Sequence, residues 1–154
     1  MSIQIPHWEI VIATYNRSQS LNKLLFSIEG MSLKPNAICV VSAGENIEKI
    51  ISVHRSLKIR HFVSKTANQS FQKKKAISMV SDYCKWIAFL DDDVLVRSDA
   101  FESIFKFIDK NEIYENIKIG GVGFNISNQN QKLSNTVNKK IANIFRDRKS
   151  TRLN

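Results

Sequence analysis

Apolar positions alternate along the chain between short continuous runs and helically spaced sets. Trp8 to Thr14 (WEIVIAT) is nearly all apolar, as expected of a strand covered on both faces. Asn16-Arg17-Ser18 breaks the run, with Ser18 placed to cap a helix. Leu21, Leu24, Leu25 and Ile28 then fall at i, i+3, i+4 and i+7, one face of that helix, which Gly30 and Pro35 should end. Ala37 to Ser42 predicts a second strand, Ile47 to Ser52 a short helix and Ile59 to Val63 a third strand. A basic helix should start near Ser70 with Ile77, Val80 and Cys84 on one side. Trp86 to Leu90 predicts a fourth strand. Ser98 can cap a helix with the apolar face Phe101, Ile104, Phe105 and Ile108. Gly120-Gly121 precedes a fifth predicted strand, Val122 to Ile126. Strands joined by helix-length crossovers imply an α/β fold, a mostly parallel sheet with helices on both faces.

The pattern fades after Ile126. Residues 127–146 are polar, rich in Asn, Gln, Lys and Ser, with only Ile141, Ile144 and Phe145 as an amphipathic patch. They read as a long loop or as the opening of an acceptor-binding half. Asp147 to Asn154 (DRKSTRLN) resembles the translation of a common sequencing-library adapter, so this tail is expected to be non-native and the reading frame cut short.

With 154 residues the chain suits one domain able to bury a core, and its 43% hydrophobic and 24% charged residues are ordinary for a soluble protein. No run approaches the roughly 20 apolar residues of a membrane span, and the N-terminus lacks the form of a signal peptide. Cys39 and Cys84 lie far apart in no metal or disulfide pattern, so a reducing cytoplasmic setting is the default. The net charge of +9 calls for an anionic partner or reflects solvated lysines. Asp147, Arg148, Lys149 and Arg152 account for +2 of it, so the basic character does not depend on the tail.

Ligands of an open parallel sheet sit beyond the carboxyl ends of its strands. Three such ends here carry polar residues: Thr14 to Arg17, Ser42-Ala43-Gly44, and Asp91-Asp92-Asp93. Three successive carboxylates repel one another unless a cation or strong donors neutralise them. Mg²⁺ or Mn²⁺, which take carboxylate and phosphate oxygens together, would suit them. In extended chain Asp91 and Asp93 would point the same way. The plain alternative is a solvated acidic turn.

Four motifs then occur in order. They are the turn Thr14-Tyr15-Asn16-Arg17, the segment Gln72-Lys73-Lys74-Lys75-Ala76-Ile77, the D-x-D pair Asp91 and Asp93 within FLDDDV, and the glycine-rich Gly120-Gly121-Val122-Gly123. Across roughly residues 8 to 126 the chain resembles the N-terminal, donor-binding half of family 2 glycosyltransferases, which have the GT-A fold. The resemblance implies a nucleotide-sugar-binding domain over residues 1–126. Thr14, Tyr15 and Arg17 would line its nucleotide pocket. Lys73 and Lys74 would approach the nucleotide or diphosphate, and Asp92 would lie in the same set. Asp91 would contact ribose or metal, and Asp93 would hold Mg²⁺ or Mn²⁺. The implied reaction is metal-assisted transfer, with inversion, from a UDP-linked sugar to a glycan or lipid-linked acceptor. A lipid-linked acceptor would bring peripheral association with the inner membrane face; no nucleic acid is expected.

The chain departs from the family in two places. The acidic turn that reads the base is replaced by Ser42-Ala43-Gly44-Glu45, where Ser42 can still bond a base and Glu45 can substitute at a shifted position. The general base, expected from an acidic residue in the second half, has no candidate after Ile126 except Asp147 in the tail. The fragment is therefore expected to be inactive alone. One competing reading is a basic module binding nucleic acid or an anionic membrane, although its lysines lack interleaved aromatic platforms. The other is an aspartate-nucleophile phosphotransferase, whose motif normally follows the first strand rather than the fourth.

Overall fold

The computed structural model describes residues 5–110, 113–114 and 117–124. The chain divides into two units, Met1–Gly120 and Gly121–Asn154, the second represented by residues 121–124. In the first unit four strands, β1 (Trp8–Tyr15), β2 (Ala37–Ala43), β3 (Ile59–Ser64) and β4 (Trp86–Asp91), form one parallel sheet in the order β3-β2-β1-β4. Helices α1 (Ser18–Glu29), α2 (Glu48–Val53), α3 (Gln69–Ile77) and α4 (Ala100–Lys110) intervene or follow.

Alternation along the central strands feeds two cores. Trp8, Ile10 and Ile12 of β1, with Ile38 and Val40 of β2, meet Leu21, Leu24, Leu25 and Ile28 of α1 and Phe101 and Phe105 of α4. Trp8 stacks on Phe101 with ring centroids 4.2 Å apart. On the opposite face Val11, Cys39 and Val41 pack against Ala76 of α3. Both cores need β1 and β2 buried on two sides, which is why these strands read as unbroken apolar runs.

Glu9 lies inside that run, fully buried. Arg60 of β3 reaches its Oε2 at 2.7 Å through Nη1, His7 Nε2 lies 3.0 Å from Oε1, and Arg60 also donates to the Met79 carbonyl at 2.7 Å. Burial alone would push the Glu9 carboxyl up, but donors from Ser81, His7 and Arg60 outweigh it and hold the group at about 2. One charge cluster thus ties β1, β3 and the connection into β4. Cys39, beside it, and Cys84 are free thiols.

Several expectations are corrected. Helix α3 ends at Ile77, so Val80 and Cys84 lie beyond it, and its buried face is Gln72 and Ala76 while Ile77 is exposed. Ser18 does not cap α1 with its own side chain. The Glu45 carboxylate accepts from Ser18 N at 2.6 Å and from Ser18 Oγ at 3.0 Å, so the cap comes from the β2–α2 turn. Helix α4 begins at Ala100, and the Ser98 carbonyl accepts from Ser32 N. The fifth strand is absent at 122–124, which have no regular structure, while 125 and 126 lie outside the described residues. Glycines 120, 121 and 123 have open space where a Cβ would stand. A short antiparallel pair, β5 (Ile113–Tyr114) with β6 (Ile117–Lys118), was not expected. The polar segment 127–146 and the tail 147–154 lie outside the described residues.

Candidate functional site

The strand order sets the place of the site. From β1 the chain runs outward to β2 and β3, then returns across α3 to lay β4 on the other side of β1. The reversal leaves a crevice beyond the carboxyl ends of β1 and β4, where the crossovers diverge to opposite sides. A cavity of about 330 Å³ opens there, lined by Ala13, Thr14 and Tyr15 of β1, Arg17, residues Ala67, Gln69 and Gln72, and all three aspartates. Its volume is at the lower end of the range of small-molecule pockets.

Backbone geometry shapes one wall. Asn16 has φ 51 and Gly44 φ 81, both left-handed. The Asn16 Oδ1 accepts from Glu45 N at 2.9 Å and so latches the turn after β1 to the turn after β2. Close approach of Asn16 and Tyr15 leaves no room for a side chain at position 44.

Gln72 shapes the opposite wall. Its buried amide Nε2 donates to the Thr14 carbonyl at 2.8 Å and to the Val41 carbonyl at 3.0 Å, pinning α3 across the ends of β1 and β2. Thr14 is itself 3% exposed, and its hydroxyl has no hydrogen-bond partner among the described residues. A buried hydroxyl left without a partner costs free energy.

The aspartates divide their work. Strand β4 ends at Asp91, so the extended alternation does not continue to Asp93. Asp91 pairs through Oδ1 with Lys73 Nζ at 3.1 Å, on α3. Asp92, 5% exposed, and Asp93 share the Arg17 guanidinium, whose Nη1 lies 3.2 Å from Asp92 Oδ1 and 2.9 Å from Asp93 Oδ2. The hydrogen bond with Asp92, then the charges of Asp92 and Asp93, raise Arg17 further above its ordinary value. Two cations from α3 and the head of α1 thus offset the acidic turn.

Of the residues named from sequence, Thr14, Tyr15, Arg17, Asp91, Asp92 and Asp93 meet at the cavity, and Lys73 reaches it through Asp91. Ser42 and Lys74 are not among the lining residues. Ser42 is buried, its hydroxyl 2.8 Å from His61 Nε2, and Lys74 is exposed. Sequence reasoning gave Gln69 and Gln72 no site role, though a polar residue four positions before Ala76 on a packed helix face was a usable signal.

The donor set suits a metal shared with a ligand. Among the described residues no three Asp, Glu, His or Cys side chains converge on one point. Asp91 and Asp93 side chains are 58% and 56% exposed, so each can present oxygen to a cation in the cavity. Mg²⁺ and Mn²⁺ accept such a set, since they commonly take one or two carboxylates and complete their shell with phosphate and water.

Residues 9–152 match the family model described as Glycosyl transferase family 2. No curated protein matches the chain. Among solved structures it is similar to TarS of S. aureus, at 17% identity and a TM-score of 0.59, over 68% of this chain and 20% of that one. A TarS 1–349 structure in complex with UDP-GlcNAc aligns at 16% identity and a TM-score of 0.59, over 68% of this chain and 32% of that one. One in complex with UDP aligns at 18% identity and a TM-score of 0.57, with the same coverage. The chain thus spans a third or less of the length of these three, and the likeness is one of fold.

Proposed function

The chain belongs to glycosyl transferase family 2, and from that premise we propose that the cavity beyond β1 and β4 binds a nucleoside-diphosphate sugar, UDP-linked, for transfer to a glycan or lipid-linked acceptor. The observation that carries this reading is the cavity at the strand switch point, whose rim combines three aspartates with Arg17 and, through Asp91, Lys73. Donors, acceptors and both signs of charge meet there, as a diphosphate, a ribose and a cation together require. The TarS complexes with UDP-GlcNAc and UDP, on a similar fold, support a nucleotide-sugar ligand.

In the proposed mechanism Asp91 and Asp93 would hold Mg²⁺ or Mn²⁺, with Asp91 also within reach of a ribose hydroxyl. When bound, the ion supplies positive charge against the departing diphosphate. Thr14 and Tyr15 wall the nucleotide, Gln72 keeps α3 fixed against the strand ends, and Lys73 faces the diphosphate. Transfer would proceed by single displacement with inversion, and no described residue is assigned as its general base. The donor domain is taken as residues 1–126, with the tail 147–154 outside it. No described helix is long and apolar enough to cross a membrane. We place the protein in the cytoplasm, at the inner membrane face where the acceptor is lipid-linked.

Isothermal titration with UDP, with and without Mn²⁺, tests the reading. Binding should depend on the metal and weaken in Asp93→Ala. No metal-dependent binding, or equal binding by the variant, refutes it.

A further inference from the structure

Arg17 sits where a cation would be needed, and three observations bear on what it does there. A single nitrogen, Nη1, makes both carboxylate contacts, at 3.2 Å to Asp92 and 2.9 Å to Asp93. The two partners differ in freedom, since the Arg17 side chain is 56% exposed and that of Asp92 only 7%. The arginine is also the residue just before α1, where its carbonyl accepts from Leu21 N at 3.0 Å, so its backbone is held while its side chain can swing.

A buried carboxylate deprived of its counter-charge is strongly destabilised. Asp92 cannot move into water, so Arg17 leaves at least cost when a divalent ion on the neighbouring Asp93 brings positive charge to the same turn. A guanidinium released at this position has planar N–H donors suited to phosphate oxygens, and it is at the mouth of the same cavity.

We propose that Arg17 is an internal placeholder for the metal: it neutralises Asp92 and Asp93 before a divalent ion binds and passes to the diphosphate when the ion takes its place. The proposal rests on the nucleotide-sugar reading of the cavity. It makes metal and nucleotide binding cooperative, because the ion releases the arginine that the nucleotide needs, and by linkage the nucleotide favours the ion in return. Without nucleotide, the metal must compete with an arginine that has nowhere better to go.

The test measures Mn²⁺ alone by the loss of the free-ion paramagnetic resonance signal, and UDP by calorimetry at saturating Mn²⁺. The proteins are wild type, Arg17→Met, Arg17→Lys and Lys23→Met, the last removing the same charge from exposed α1 surface. Arg17→Met should bind Mn²⁺ alone about fivefold more tightly, the size of an exposed ion pair removed from competition. It should bind UDP with Mn²⁺ about tenfold more weakly, through the loss of a charge-assisted phosphate contact. Arg17→Lys should keep Mn²⁺ affinity near wild type, and so should Lys23→Met. Wild-type binding of UDP with Mn²⁺, but no gain in Mn²⁺ affinity for Arg17→Met or an equal gain for Lys23→Met, overturns the placeholder and leaves the cavity reading standing. Failure of UDP with Mn²⁺ to bind any of the four overturns both.

Discussion

Replacing Glu9 by Gln keeps the side chain's shape and removes its charge, which makes it a direct measure of the buried cluster at the base of the sheet. The carboxylate is fully buried, accepts from Arg60 Nη1 at 2.7 Å and lies 3.0 Å from His7 Nε2. Its pKa falls from the ordinary 4.5 to about 2 in the folded chain. At about 1.4 kcal/mol per pH unit, that depression corresponds to about 3 kcal/mol of stability held by the ionised form. The sign follows from the lowered folded value. The contribution is fully present above about pH 4.5 and is lost as pH falls toward about 2. A neutral amide cannot supply it, and its own N–H groups would face those of Arg60. Urea denaturation of wild type and Glu9→Gln at several pH values from 7 down to 3 is the assay. We expect a difference of about 3 kcal/mol at pH 7, a large part of the 5–15 kcal/mol typical of a domain, shrinking as the pH is lowered. The other depressed carboxyls, Glu29, Asp99 and Glu102, act in both proteins and cancel in the comparison. A gap under about 1 kcal/mol at pH 7, or one that does not narrow toward pH 3, would refute the argument.

Two further substitutions address the walls of the cavity. Gly44→Ala places a Cβ against Asn16 and Tyr15 at a residue with φ 81, so it should cost about 2 kcal/mol in thermal or urea unfolding and weaken UDP binding by displacing the turn after β1. Unchanged stability would show that the turn relaxes freely. Gln72→Leu keeps the volume of the buried side chain but strips the donors from the Thr14 and Val41 carbonyls, with an expected loss of about 2 kcal/mol by urea denaturation. The same variant should lower UDP affinity, since Lys73 follows Gln72 on α3 and pairs with Asp91.

Much of the fold was legible along the chain because local periodicity reports burial. The face Leu21, Leu24, Leu25 and Ile28 predicted for α1 is the set of buried residues found there, and Phe101 and Phe105 are buried on α4 as their spacing implied. The apolar runs located β1, β2 and β4 to within a residue at their ends; for β1 and β2 this follows because a strand covered on both faces has almost no polar position to interrupt it. The aspartates announced themselves by following such a run directly.

Tertiary structure decided what periodicity cannot express. Glu9 lay within an apolar run, and whether a carboxylate there is tolerable depends on Arg60, a residue on another strand. Helix α3 showed weak amphipathicity because its packed face is a glutamine and an alanine, so the pattern extended it past its end and chose the wrong side. The glycines at 120, 121 and 123 fit the family's order, yet 122–124 take no regular structure, which local composition does not reveal. The order β3-β2-β1-β4 is a choice among crossovers that leaves no mark on local spacing. That order brings Arg17 to Asp92 and Asp93 and makes one site from residues more than seventy positions apart. Local pattern marks which residues can be buried and which can carry charge, whereas the meeting of particular charges depends on strand order, which has no period.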